Sequence, residues 1–133
     1  MDGHIVTPSA YPGHWVLLAF GSAGCPPCVA EIPDLNRLEE KFHGRLIVLM
    51  LDINDNAQQV RAFVRNRGVR YPVIRVGDIN GQIPTEYGVS SPDGAVAIPV
   101  DVLIRPNRSI SYVQVGGSGT MVFDAVATQL KDH

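Results

Sequence analysis

The feature that most constrains this chain is a strand, loop and helix stretch over residues 15–33 that contains both cysteines. Its apolar first part predicts a buried strand, and the small residues that follow predict a loop. A helix then begins at Pro26 and Pro27, where proline is well tolerated because the first helical N–H groups have no intrahelical partner. Cys25 and Cys28 therefore lie one helical turn apart at the start of this helix.

A cysteine pair at a helix start predicts thiol chemistry. The first turn presents unpaired backbone N–H groups and the positive end of the helix dipole. A thiolate there is stabilised, so its pKa falls from about 8.5 toward a range of roughly 3.5–7.5. Two cysteines separated by two residues at a strand-to-helix junction are typical of a redox pair. We predict that Cys25 is the exposed nucleophile and that Cys28 closes a disulfide with it.

A glutamate in the same helix is the second candidate functional residue. The pattern predicts one helix from about Pro26 to Phe42, kinked at Pro33 because a proline inside a helix removes a backbone hydrogen bond. The inward apolar stripe of this helix, extended back one turn, reaches Glu31. A carboxyl group there is expected to be partly buried beside the sulfur of Cys28. Burial would raise its pKa and let it exchange protons near neutral pH.

Length and charge exclude several classes of protein. A chain of 133 residues predicts one domain over residues 1–133. The net charge of −2 does not favour a nucleic-acid partner. No apolar run approaches the roughly 18 residues of a membrane helix, so we expect a membrane anchor only in a segment outside this chain. We expect a monomer.

The cysteine pair has other interpretations. One interpretation is half of a zinc site. Zinc takes four ligands, however, and the chain has no second cysteine pair to supply the other two. The four histidines are scattered without ligand spacing, so we predict no metal and no cofactor. Two alternatives stay open: a non-catalytic binding module whose disulfide is structural, and a copper(I)-handling protein, since soft copper(I) suits two thiolates.

The rest of the chain predicts alternating strands and helices. The apolar run over residues 45–52 predicts a central strand, and Asn54 and Asp55 predict the cap of a helix that ends at Gly68. The other predicted elements are a strand over about 71–76, a short irregular helix within 77–89, strands over 98–104 and 109–115, and a final helix. Together these elements predict a mixed central β-sheet with helices on both faces.

These motifs together resemble the thioredoxin fold. The resemblance is carried by the Cys25-Pro-Pro-Cys28 run, by Pro33, and by Pro99 at the start of a late strand. The tryptophan-led strand, the glutamate after the cysteines and an extra helix–strand block before Pro99 resemble the extracytoplasmic branch of that fold. That branch includes the thiol–disulfide oxidoreductases of the TlpA, ResA and CcmG (DsbE) type, and the resemblance covers nearly the whole chain.

The resemblance implies an α/β thioredoxin-like fold and a role for each site residue. Cys25 would be the attacking cysteine, Cys28 the resolving cysteine, Glu31 the active-site acid and Pro99 a cis-proline facing the disulfide. Protein thiols and disulfides would be the partners, with an upstream thiol protein as electron donor and a location outside the cytoplasm. No side-chain donor lies between the cysteines to hold a thiolate, which favours a reductase.

The chain also departs from its relatives around the cysteines. Gly21 and Gly24 stand where many relatives have aromatic residues, and Val100 follows the proline where threonine is common. Ala19 stands where thioredoxin itself has a buried acid. This leaves Glu31 as the candidate for proton transfer.

Overall fold

The computed structural model describes residues 13–52, 55–75, 99–107, 109–115 and 119–131. This part of the chain forms five strands and four helices. In chain order they are β1 (Trp15–Gly21), α1 (Pro26–Ala30), α2 (Ile32–Lys41), β2 (Leu46–Asp52), α3 (Ala57–Arg67), β3 (Val73–Arg75), β4 (Val100–Ile104), β5 (Ile110–Val115) and α4 (Gly119–Lys131).

The five strands form one mixed sheet in the order β3-β2-β1-β4-β5. β1 pairs in parallel with β2 and β2 in parallel with β3, whereas β4 is antiparallel to both β1 and β5. β3 begins at Val73 rather than at Tyr71, because Pro72 has no N–H to give to a ladder. The sheet confirms the predicted thioredoxin-like architecture. It also brings the ends of β1 and β2 and the start of β4 to one edge.

Alternate residues of β1 face two apolar clusters, which explains why the whole strand is apolar. The first cluster contains Trp15, Leu17 and Ala19 together with buried residues of α2, α3 and α4. The second contains Val16, Leu18 and Phe20 with residues of β2 and β4. The helix predicted within 77–89 lies outside the described residues, so helices on both faces stay a prediction.

The start of α3 differs from the sequence prediction. The helix cap is Asn56, whose side chain accepts the Gln59 N–H at 2.8 Å while the Gln59 side chain accepts the Asn56 N–H at 2.8 Å. This reciprocal pair satisfies two N–H groups of the first turn, and Asp55 is left for another contact. The predicted end of the helix is confirmed, because Gly68 adopts φ 66°, a left-handed conformation that glycine adopts without strain.

The helix that carries the cysteines is two helices rather than one kinked helix. It breaks at Glu31, whose N–H bonds to the carbonyl oxygens of Cys28 and Val29. Pro33 explains the break, because it has no N–H and its ring would collide with the carbonyl four residues earlier, that of Val29. The helical bonds resume from the Leu35 N–H to the Glu31 oxygen at 3.0 Å. Glu31 therefore lies at a junction, and it is turned into the core with 1% exposure.

Candidate redox site

Cys25 and Cys28 form a disulfide at the start of α1, with Cα atoms 5.2 Å apart. Cys25 is the N-cap, with an extended backbone and a sulfur that accepts the Cys28 N–H at 3.2 Å. Cys25 is partly exposed, whereas Cys28 is only 5% exposed. The predicted pairing and helix position are therefore observed, and Cys25 is the cysteine that a large partner can reach.

Gly21, the last residue of β1, lies directly against the inner cysteine. A Cβ atom added at Gly21 would lie 2.9 Å from Cys28 Sγ and 3.2 Å from Cys28 Cβ. Cβ atoms essentially never approach that closely, so with any larger residue the disulfide or the end of β1 would have to move. Gly24 is different, because a Cβ atom there would meet nothing within 4 Å. The two departures from the family pattern therefore have different meanings: only Gly21 is required by packing.

The loop between β1 and α1 is tied to the neighbouring strands by Asp55. Its Oδ2 accepts the Ala23 N–H at 2.6 Å, and its own N–H donates to Asp52 Oδ1 at 2.9 Å. Arg75 Nε donates to the Asp55 carbonyl at 3.1 Å. Sequence reasoning missed this role for Asp55, because the contact is made between residues 32 positions apart and has no local signal. The loop before Cys25 is thus held by tertiary contacts as well as by its own chain.

Glu31 occupies the inner side of the site, as the helical stripe predicts. Burial is the main cause that raises its pKa from the ordinary 4.5 to about 10. A hydrogen bond with Asp101, the charge of Asp101 and the charge of Asp34 add to this shift. The prediction of burial is confirmed, and the pKa is raised as expected. With a pKa of about 10, however, Glu31 keeps its proton at neutral pH, so the predicted proton exchange near neutral pH is wrong for Glu31 acting alone.

Asp101 is the site residue that the sequence analysis missed. It lies in β4 directly opposite Ala19 of β1, two residues after Pro99, and it is fully buried. Among the described residues, no N–H group or hydroxyl reaches either of its carboxyl oxygens, and the carboxyl group of Glu31 is its hydrogen-bond partner. Burial raises the pKa of Asp101 to about 6, although the hydrogen bond with Glu31 acts in the opposite direction.

A signal for Asp101 was present in the sequence. It interrupts the apolar run of Val100–Ile104, and an acid inside a central strand is rarely buried without a partner. An acid thus lies directly across from Ala19, on the adjacent strand. The register of β1 and β4 was needed to place the two positions together.

Two tyrosines complete the surroundings of the carboxyl groups. The Tyr71 hydroxyl is buried without a hydrogen-bond partner among the described residues, and its pKa is raised by burial and by the charges of Glu31 and Asp101. Burial and the charge of Asp101 also raise the pKa of Tyr112, whose hydroxyl donates to Gln114 Oε1 at 2.5 Å. Among the residues that the structure describes, no lysine, arginine or histidine shifts the pKa of either carboxyl group.

Pro99 is buried in a bend immediately before β4. The next residue, Val100, pairs with Phe20, so antiparallel register places Pro99 across from Gly21, at the edge that holds Cys28. Its peptide bond with Ile98 lies outside the described residues. The cis conformation therefore stays a prediction.

Within the described ranges, no group of three or more histidine, cysteine, aspartate or glutamate residues is arranged to hold a metal ion. In the same part of the chain, none of the helices is both long and apolar enough to cross a membrane.

The strand order, the cysteine pair at a helix start and the proline before β4 define a thioredoxin-like protein. The chain belongs to the AhpC/TSA family, whose family model matches residues 1–113.

Two curated relatives and one solved structure illustrate the similarity. The chain is 24% identical over 118 residues to the thiol-disulfide oxidoreductase ResA of Halalkalibacterium halodurans, which covers 88% of this chain and 62% of the relative. It is 28% identical over 111 residues to ResA of Bacillus thuringiensis, covering 83% and 60%. The chain thus spans about three fifths of the length of these relatives.

The solved structure is the thioredoxin domain of a thiol-disulfide oxidoreductase from Bacteroides vulgatus, with a TM-score of 0.76 and 16% identity. The superposition covers 90% of this chain and 81% of that one. At this identity the likeness establishes the fold alone.

Proposed function

We propose that this chain is a thiol–disulfide oxidoreductase that exchanges disulfides with protein partners through Cys25 and Cys28, and that it acts as a reductase. The observation that carries the proposal is the disulfide at the start of α1, with one accessible and one buried cysteine. A structural disulfide needs no such difference in exposure. The names of the ResA relatives support the same reaction.

In the proposed reaction the reduced protein attacks first. The Cys25 thiolate, stabilised by the N-terminus of α1, attacks one sulfur of a partner disulfide and forms a mixed disulfide, and the other partner sulfur leaves as a thiolate. Cys28 then loses its proton and attacks the Cys25 sulfur. The Cys25–Cys28 disulfide forms, and the partner is released with both sulfurs reduced. Two electrons pass from the cysteine pair to the partner.

The site separates contact with the partner from proton transfer. A groove of about 470 Å³ borders the loop at Ala23 and Gly24 and continues along α3 to Phe63, which offers room for a partner segment beside Cys25. Glu31 is the acid nearest in sequence to Cys28, and its N–H bonds to the Cys28 carbonyl. In the proposal Glu31 belongs to the acid–base group that serves Cys28, and Pro99, which has no N–H, lies beside the partner.

The reductive direction rests on the residues between the cysteines. Pro26 and Pro27 have no side-chain donor that could hold a thiolate, and a less stabilised thiolate gives a more reducing pair. A reductase also needs an upstream thiol protein to restore its own thiols. Such a donor, a location outside the cytoplasm and a monomeric state complete the proposal.

Turnover of a protein disulfide tests the proposal. Reduced protein is expected to reduce insulin with dithiothreitol as donor, and Cys25→Ser is expected to abolish the stimulated rate. Cys28→Ser is the matched control, because it keeps Cys25 and is expected to accumulate a mixed disulfide visible by mass spectrometry. Equilibration with glutathione then measures the direction: a reduction potential near −270 mV, that of thioredoxin, supports a reductase, and one near −120 mV, that of DsbA, reverses the direction.

The two alternatives predict other results in the same proteins. A binding module would retain partner binding in Cys25→Ser and show no turnover in the unmodified chain. A copper(I)-handling protein would take up one copper(I) ion per reduced chain, in competition with a chromophoric chelator, and would lose this uptake in both serine variants. Either result would overturn the oxidoreductase proposal.

A further inference from the structure

Glu31 alone is a poor acceptor for the proton of Cys28. Its carboxyl group is almost completely buried, and its raised pKa keeps it protonated at neutral pH. A group that already holds its proton cannot accept another one from a thiol. The fold, however, brings a second buried carboxyl group, that of Asp101, into hydrogen-bond contact with the first.

We propose that Asp101 is a positioning residue that shares one proton with Glu31, so that the two buried carboxyl groups act on Cys28 as a single acid–base unit. The proposal rests on the thiol–disulfide exchange proposed above. It assigns to Asp101 a role that neither the cysteine motif nor the family match contains.

The strand register places Asp101 on the same face of the sheet as the inner sulfur. Gly21 contacts Cys28 Sγ, and Ala19 lies two residues earlier on the same face of β1. Asp101 pairs directly with Ala19. Residues two apart on one face of a strand are separated by about 7 Å, so Asp101 lies on the face of the sheet that carries Cys28 Sγ, two residues along β1 from the contact at Gly21. Ala19 leaves room in which the two carboxyl groups can meet.

The surroundings of the unit provide no other partner. Glu31 Oε1 and both Asp101 oxygens are buried without an N–H or hydroxyl donor among the described residues. The charge of Asp34 from α2 raises the pKa of Glu31, and the charges of the pair in turn raise the pKa values of Tyr71 before β3 and Tyr112 in β5. Asp34 is already paired with Arg37 at 2.8 Å. Two carboxylates without a cation would repel each other strongly, and a shared proton removes that repulsion.

The proton balance of the proposed step is as follows. Before the step the pair holds one proton and one negative charge. The Cys28 thiol gives its proton to the pair, which becomes neutral with two protons, and the Cys28 thiolate attacks the Cys25 sulfur of the mixed disulfide. The Cys25–Cys28 bond forms, the bond to the partner breaks, and the partner thiolate leaves. The pair then returns one proton to the partner thiolate or to water.

A carboxyl titration of the oxidised protein tests the shared proton directly, because its disulfide cysteines do not titrate. With ¹³C-labelled Asp and Glu, the Glu31 and Asp101 resonances are each expected to report both of the pair's ionisations. Asp101→Asn removes the charge and the carboxyl partner that hold the proton on Glu31, so the Glu31 ionisation is expected to move to lower pH by more than one unit. Asp34→Asn, which removes a charge from the same helix, is expected to move it much less.

The rate of partner release tests the role in the reaction. A mixed disulfide between Cys25 and a small aromatic thiol is prepared on the reduced protein, and release of the thiol is followed from pH 5 to pH 10. Asp101→Asn is expected to slow release by at least about 10-fold near pH 7 and to change the midpoint of the pH profile. Glu40→Gln, which changes an exposed carboxylate of α2, is expected to keep the profile of the unmodified protein.

The outcomes separate this inference from the proposed function. Insulin turnover with an unchanged pH profile in Asp101→Asn overturns the role of Asp101 and leaves the oxidoreductase standing. Absent turnover in the unmodified protein overturns the oxidoreductase, while the carboxyl titration still decides whether the proton is shared. If Asp101→Asn does not fold, the unmodified protein decides: independent single-step titrations of Glu31 and Asp101 overturn the proposal.

Discussion

The two sulfurs and the two carboxyl groups of this site are held by different means. The sulfurs lie on one short segment, where Cys25 caps α1 and accepts the Cys28 N–H. The carboxyl groups of Glu31 and Asp101 come from a helix junction and a distant strand, and they meet only through the sheet. The sulfur side is partly open to solvent, whereas the carboxyl side is buried, and within the described ranges no cation shifts the pKa of either carboxyl group.

This difference shows which half of the site tolerates change. A short peptide segment can place two cysteines at a helix start, because capping is local. The carboxyl pair depends on strand register, since a shift of one residue would turn Asp101 to the opposite face of the sheet. We therefore expect changes on the carboxyl side to affect stability and proton transfer together. Changes on the sulfur side are expected to affect mainly the disulfide.

The largest expected effect is a loss of stability with rising pH. The folded-state pKa values of Glu31 and Asp101 lie above their ordinary values, so the folded protein keeps protons that the unfolded chain releases. The free energy of unfolding is therefore expected to fall as pH rises from about 4 to about 10, by at most about 1.4 kcal/mol per pH unit for each proton. Urea unfolding of the oxidised protein at pH 5, 7 and 9 measures this slope.

The matched control is the double variant Glu31→Gln with Asp101→Asn, which has no buried carboxyl pair to titrate. Its unfolding free energy is expected to change much less over the same pH range. An equal slope in both proteins would show that the carboxyl side is not the source of the pH dependence.

The next largest effect is expected for Glu31→Gln on the rate of partner release. Loss of a positioned acid–base group typically slows a proton-transfer step by about 10²-fold or more. The first attack by Cys25 is expected to keep its rate, because that thiolate belongs to the sulfur side. Rapid-mixing measurements of the two steps separate them. Glu40→Gln, on the exposed side of α2, serves as control, and an equal slowing there would contradict the assignment.

Gly21→Ala tests the packing at the boundary between the two sides. The new Cβ atom would lie 2.9 Å from Cys28 Sγ, so the disulfide or the end of β1 must move. Overpacking of this kind costs about 1–3 kcal/mol. Chemical unfolding of the oxidised protein measures the loss. Gly24→Ala has open space around its new methyl group and is expected to leave stability nearly unchanged. Similar losses in both variants would show that the approach at Gly21 is not the cause.

The smallest effect is expected for the hydrogen bond from the Ala23 N–H to Asp55, which holds the loop before Cys25. Asp55→Ala removes the acceptor of the Ala23 N–H, a contact worth about 1 kcal/mol. Amide hydrogen exchange is expected to quicken at Ala23 and to stay unchanged in the middle of α3. Asn56→Ala is the comparison, because it removes the α3 cap at a similar cost without touching the loop. Unchanged amide exchange at Ala23 in Asp55→Ala would show that Asp55 does not hold this loop.

The sulfur side could be predicted from the sequence because its determinants are local. The strand, the loop and the prolines at the helix start all follow from spacing and backbone chemistry. The break at Glu31 was predicted as a kink at Pro33. The spacing of apolar residues does not show whether a proline bends a helix or divides it in two. The α3 cap was predicted one residue too early. Asp55 and Asn56 are both good capping residues, and only the hydrogen bond of Asp55 with the Ala23 N–H decides between them.

The carboxyl side could be predicted only in part. Glu31 was visible on a helical stripe, but Asp101 becomes its neighbour only when β4 pairs with β1 in antiparallel register. Nothing in a single sequence specifies which residue of one strand faces which residue of another across a long connection. The apolar run around Asp101 was the available signal, and it indicated burial without indicating a partner.

The bond from the Cys28 amide to the Cys25 sulfur has a consequence for the protein's two oxidation states. In the disulfide state that sulfur is a weak, neutral acceptor, and it satisfies an amide that the helix start would leave open. After two electrons enter, the same sulfur becomes an anion, and the same amide then faces a much stronger acceptor. The first turn of α1 is thus held by a stronger hydrogen bond when the disulfide is reduced. Loss of the covalent Cys25–Cys28 bond is partly offset by a stronger hydrogen bond between the same two residues.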